Sequence, residues 1–86
     1  MNTNDFDFDN KVESISCVFS KNVNIEIIEN TVKNIANIID ITLTDKYNGP
    51  QISDDSISLT FEVVALSKED IEKVKELFTG FGGVIR

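Results

Sequence analysis

The chain has no histidine, one cysteine, one tyrosine and one arginine, and that scarcity bounds its chemistry. Cys17 has no imidazole to activate it and lies in an alternating apolar run. That pattern predicts a buried, inert thiol rather than a nucleophile. No Cys-x-x-Cys or Glu-x-x-His spacing is present, so hydrolytic, thiol and transition-metal chemistry have no starting point, and no metal or cofactor is expected. Asp54 and Asp55 are adjacent carboxylates in a polar loop, a pattern of solvated acids rather than a hard-cation site. Gly82-Gly83 lacks the length and the following helix of a phosphate loop and reads as a turn into a last strand. Glu69-Asp70 suits a helix N-terminus, where acids complement the dipole. Tyr47, on residue type alone, ends a strand with its hydroxyl in water. An active site of its own is not expected.

Charge narrows the partners. Fifteen acids against eight bases give a net charge of −7, and the single arginine is Arg86. Proteins that track phosphates cluster Lys and Arg, because neutralising phosphates supplies most of their affinity. No such cluster exists here. Any RNA contact is therefore a few local hydrogen bonds and a stack held within a larger protein, or it is absent. No apolar stretch approaches the ~20 residues of a membrane span. The expectation is one small cytoplasmic domain without membrane or DNA partners, near the lower limit for burying its own core.

The elements follow from period. Residues 1–11, with Asp5, Phe6, Asp7, Phe8 and Asp9, read as a mobile acidic N-terminal arm or linker. Residues 12–86 form the domain. Ile15, Cys17 and Phe19 alternate in a first strand over Val12–Phe19. The period then changes: Ile25, Ile28, Val32, Ile35 and Ile39 recur three or four apart, predicting a helix from Asn24 to about Asn37, capped by Asn22 or Asn24. Ile39, Ile41 and Leu43 begin an alternating strand that ends at Tyr47 before Asn48-Gly49-Pro50. Ile57, Leu59, Phe61 and Val63 form the next, so the two make a hairpin. Ser67 and Asp70 form a short-armed capping box, with Leu66 and Ile71 at staple positions. The stripe Ile71, Val74, Leu77 and Phe78 faces the core, Gly80 offers a left-handed stop, and Glu69–Lys73 and Lys68–Glu72 sit four apart. Val84–Arg86 form a short last strand.

The order β-α-β-β-α-β predicts an α+β, ferredoxin-like two-layer sandwich: an antiparallel sheet with two helices on one face. Inward residues are Ile15, Cys17, Phe19, Ile41, Leu43, Leu59, Phe61 and Val63. The other face is small and hydroxyl-rich: Ser14, Ser16, Thr42, Thr44, Ser58, Thr60 and Glu62. It carries no aromatic, which argues against an RNA-recognition motif of the same topology.

Three separated blocks, in order, resemble the ferredoxin-fold anticodon-binding domain found at the C-terminus of the bacterial phenylalanyl-tRNA synthetase β subunit. The blocks are Asp45-Lys46-Tyr47-Asn48-Gly49, Ser58-Leu59, and Phe81-Gly82-Gly83-Val84-Ile85-Arg86. The family patterns are Phe-Asp-x-Tyr-x-Gly, a Ser-Leu step opening the third strand, and a final Phe-Gly-x-x-Leu-Arg. The likeness covers roughly residues 12 to 86. It implies a non-catalytic tRNA-binding module, with the ligase chemistry of aminoacylation on other synthetase domains or subunits. It also implies RNA-binding roles for Tyr47, as a stacking platform for the first anticodon base, and for Asp45 and Ser58 as its hydrogen-bonding neighbours. Thr44 replaces the family's Phe, Ser56 and Ile57 replace basic residues, and Glu13-Ser14 replaces an Arg-Asp step. Binding in isolation is therefore expected to be weak. The alternative is a ferredoxin-like protein-interaction module without RNA binding. One ambiguity bears on both readings. Counting on from Ile41 and Leu43 turns Tyr47 inward, unless the turn or a bulge twists it out.

Overall fold

The computed structural model describes residues 10–86; residues 1–9 of the expected acidic arm lie outside the described residues, and of the other two Asn10 precedes the first strand and Lys11 opens it. The elements are β1 (Lys11–Ser20), α1 (Ile25–Lys33), β2 (Ile38–Tyr47), β3 (Ser56–Ala65), α2 (Lys68–Gly80) and β4 (Val84–Ile85). The four strands form one sheet in the order β2-β3-β1-β4, with every neighbouring pair antiparallel. The arrangement is α+β, a four-stranded antiparallel sheet with two helices, and is compatible with a ferredoxin-like fold.

Both helices bury their stripes in one core. Ile28 and Val32 from α1 and Ile71, Val74 and Phe78 from α2 join Ile15, Cys17, Phe19, Leu59, Phe61 and Val63 of the sheet. Leu43 and Leu77 pack against this cluster while half-buried. Phe78 anchors the centre. Its ring meets Phe19 edge-on at 5.9 Å and Phe61 at 5.3 Å. Such pairs contribute about 0.5–1.5 kcal/mol each beyond their burial.

Helix α1 starts where the sequence places it, with Asn24 Oδ1 accepting from the Ile27 N–H at 3.1 Å. It stops at Lys33, not near Asn37. Asn30, Thr31, Asn34 and Asn37 are weak helix formers, and Thr31 Oγ1 turns back to donate to the Ile27 carbonyl at 2.7 Å. The Ile35 N–H tightens onto Val32 O, and Asn37 takes a left-handed φ of 73°, which asparagine tolerates. Ile39 is thus not on the helical stripe. Nor does it share a face with Ile41. A bulge between Ile38 and Asp40 lets Ile38 and Ile41 both face the core, leaving Ile39 51% exposed.

In α2, Ser67 Oγ accepts from the Asp70 N–H at 3.3 Å and donates to the Asp70 carboxylate at 2.7 Å. Asp70 is buried by this arrangement. The staple is incomplete, since Ile71 is buried but Leu66 is half-exposed. The four-apart ion pairs are replaced. Lys73 lies 3.8 Å from Asp70, and Lys75 bridges Glu72 at 3.1 Å and Glu13 of β1 at 2.6 Å.

The helix stop also differs from expectation. Gly80 stays helical, and Gly82 is the left-handed residue, with φ 88°. Gly83 N–H bonds Phe78 O at 3.0 Å and Gly82 N–H bonds Thr79 O at 2.9 Å, a Schellman pair. Gly83 is required for a different reason. A Cβ there would lie 2.7 Å from Phe19 Cε1 and would overlap Cys17 Sγ. The chain can therefore turn tightly over the core into β4, which carries Arg86 across the sheet.

Candidate functional site

The site is built by a second bulge in β2. The register runs Leu43 opposite Phe61, then Asp45 opposite Thr60, Lys46 opposite Leu59 and Tyr47 opposite Ser58, with Thr44 as the extra residue. Unbroken alternation from Leu43 would set Asp45 opposite Leu59, which is fully buried. A carboxylate placed there without a partner is costly. The bulge avoids that by giving the position to Lys46, whose long side chain remains exposed. Thr44 Oγ1 holds the irregularity by donating to the Thr60 carbonyl at 3.1 Å.

The consequence is a change of face. Asp45 and Tyr47 join Ser58 on the side of the sheet away from the helices. The expectation that this face lacks an aromatic is thereby corrected: Tyr47 reaches it. Asp45, Tyr47, Gln51, Ser16, Ser58, Thr60 and Arg86 line one open cleft of about 470 Å³. All three sequence-derived site residues are brought together.

Each side chain has an identifiable support. Ser16 and Thr60, opposite each other in β1 and β3, bond hydroxyl to hydroxyl at 2.8 Å and form the floor. Ser58 is buried beneath the Arg86 guanidinium, whose Nη1 donates to Ser58 Oγ at 3.2 Å. Arg86 is fixed at its backbone by donation to the Ser16 carbonyl at 2.9 Å. The Tyr47 ring rests against Gly49. A Cβ on Gly49 would overlap the ring, so glycine serves here by leaving space, its φ not being left-handed. The spacing Tyr-x-Gly has a steric origin.

Arg86 is the functional candidate that residue typing passed over. Its scarcity was the available signal, as the only arginine of an acidic chain. Among the described residues it has no carboxylate within ion-pair distance, including Asp45. Four of its five N–H donors make no hydrogen bond to a side chain among the described residues. The cleft thus holds an aromatic face, a carboxylate acceptor, a guanidinium, an amide and three hydroxyls. That set can stack a planar heterocycle, accept from its N–H edge and hold an anion.

The other chemistry-bearing groups stand apart. Cys17 is fully buried, and burial pushes its thiol from 9.0 up to about 11. Asp55 is engaged through its backbone, accepting from the Lys21 N–H at 2.8 Å and donating to Ser53 Oγ at 3.3 Å. Among the described residues, no three metal-ligating side chains converge, and no helix is long and apolar enough to cross a membrane. Neither a known family model nor a curated protein matches the chain by sequence.

Proposed function

We propose that the chain is a ferredoxin-like β-α-β-β-α-β domain acting as a non-catalytic tRNA anticodon-binding module, of the kind that serves a phenylalanyl-tRNA synthetase β subunit. The observation that carries the reading is the bulge at Thr44. It brings Asp45, Tyr47 and Ser58 around one cleft on the open face of the sheet. A single-stranded base stacks on Tyr47, Asp45 accepts from its edge, and the hydroxyls orient it. Catalysis belongs to other synthetase domains or subunits. One stack is worth about 1–3 kcal/mol, and the −7 charge removes most counterion-release affinity. The isolated chain therefore binds weakly.

The chain contains one tyrosine and no tryptophan, so a tyrosine signal reports this site alone. Titrating the chain with a phenylalanine anticodon stem-loop and following amide and Tyr47 ring resonances should show weak, saturable shifts at Asp45, Tyr47 and Ser58. Nanomolar affinity at physiological salt, or shifts that avoid these residues, would contradict the reading.

A protein-interaction module is the second reading. It is favoured by the edge of β1 beyond β4: among the described residues only Cys17 and Val18 of that edge pair with a strand, and Val12 is 59% exposed. Shifts confined to Lys11–Ile15 on addition of a partner would select it.

A further inference from the structure

We infer that Arg86 is the anion-binding residue of the cleft, so that the cleft takes a whole nucleotide, base against Tyr47 and phosphate on the guanidinium. The inference rests on the reading of the cleft as a base-binding site and adds a second contact to it. Tyr47 and Ser58 face each other on neighbouring strands, where opposed Cα atoms lie about 4.5–5.5 Å apart. Arg86 starts from the edge strand β4 yet reaches across β1 to Ser58. Its guanidinium therefore stands about one strand spacing from the ring.

That spacing suits a base and the phosphate of the same nucleotide. Ser58 occupies one N–H and fixes the plane of the group, leaving a fork that matches phosphate oxygens. Asp45 works in the opposite sense. It repels phosphate and attracts the N–H edge of a guanine, so the two charges orient the ligand across the sheet. A ligand lacking either the anion or the N–H edge satisfies only half of the cleft. Lysine would keep the charge but lose the fork.

The test compares guanosine with 5′-GMP, and 5′-GMP with the anticodon stem-loop, on the wild-type chain and on Arg86→Gln and Arg86→Lys. Tyr47 and amide resonances give the affinities, and the amide spectrum verifies that each variant is folded. The expected result is that 5′-GMP binds about tenfold or more tightly than guanosine at low salt. Arg86→Gln should abolish that advantage while leaving guanosine unchanged, and Arg86→Lys should retain part of it. A parallel loss with the stem-loop supports the contact and assigns it to an RNA strand. A loss seen only with 5′-GMP supports it and assigns it to a free nucleotide. Equal binding of guanosine and 5′-GMP by wild type would overturn the Arg86 assignment and leave base stacking intact. Guanosine weakened as much as 5′-GMP by Arg86→Gln would overturn it too, placing the guanidinium on the base. If nothing shifts Tyr47, the base-binding reading fails and this inference fails with it.

Discussion

Raising the pH tests the buried thiol of Cys17. The folded thiol titrates near 11, because burial disfavours the thiolate, against an ordinary value of 9.0. Between those values the unfolded chain has released a proton that the folded chain still holds. Unfolding is therefore favoured as pH rises. The stabilisation is fully present below about pH 9 and is lost on rising through about pH 11. At 1.36 kcal/mol per unit, a gap of about two units amounts to about 3 kcal/mol. That is a large share of the roughly 5–15 kcal/mol that holds a small domain together. Lys75 acts in the same direction at still higher pH. Its hydrogen bond to Glu13, and then that to Glu72, raise its pKa above 10.5, so its contribution is present below that value and lost above the folded one.

Cys17→Ala isolates the thiol, because both proteins keep Lys75. Urea unfolding followed by far-UV circular dichroism at pH 7, 9, 10 and 11 gives the stability of each. The alanine variant starts lower by the cost of the lost Sγ packing. The difference between the two proteins should then shrink by roughly 2–3 kcal/mol from pH 7 to pH 11. A difference independent of pH would refute the argument, since a thiol open to water has no such gap.

Gly83→Ala forces a methyl against Cys17 and Phe19 and should destabilise by about 1–3 kcal/mol in urea unfolding, whereas Gly80→Ala, with open space around it, should be neutral or stabilising. Ser67→Ala strips both bonds from Asp70 and should cost about 1–2 kcal/mol, more than an exposed cap; an unchanged melting curve would deny that the box is formed. Tyr47→Ala should change stability little, because the ring is half-exposed, yet weaken stem-loop binding roughly 5- to 150-fold. Unaltered binding would end the stacking hypothesis. Gly49→Ala should displace the ring and reduce binding without comparable loss of stability, read from the same titration.

Most of the framework was legible because single residues decide it. The alternation of Ile15, Cys17 and Phe19 and the stripe of Ile71, Val74 and Phe78 leave one way to bury apolar surface, and all six are buried. Asn24 and Ser67 cap where their side chains can reach an N–H. The departures occur where two local rules compete. Asn34 and Asn37 end α1 early although Ile35 continues its stripe. Gly82 rather than Gly80 turns left-handed, because the turn must set Gly83 on the core. Tyr47 could not be assigned to a face by counting, since a bulge shifts everything after it by one residue. The signal was Asp45, a carboxylate that strict alternation would bury. Arg86 reaches the cleft from the far edge of the sheet, and no local pattern reports a contact of that separation.

The two bulges of β2 bear also on how the molecule keeps to itself. β2 is an outer strand of ten residues, and among the described residues no strand pairs with one side of its backbone. A straight outer strand of that length is a template on which another chain can add. Irregularities after Ile38 and Leu43 interrupt the ladder twice, and Asp40, Asp45 and Lys46 add exposed charge along it. An incoming strand meets no more than a few evenly spaced partners before the register fails. Straightening β2 would thus do more than turn Tyr47 inward. It would open the chain to edge-to-edge aggregation.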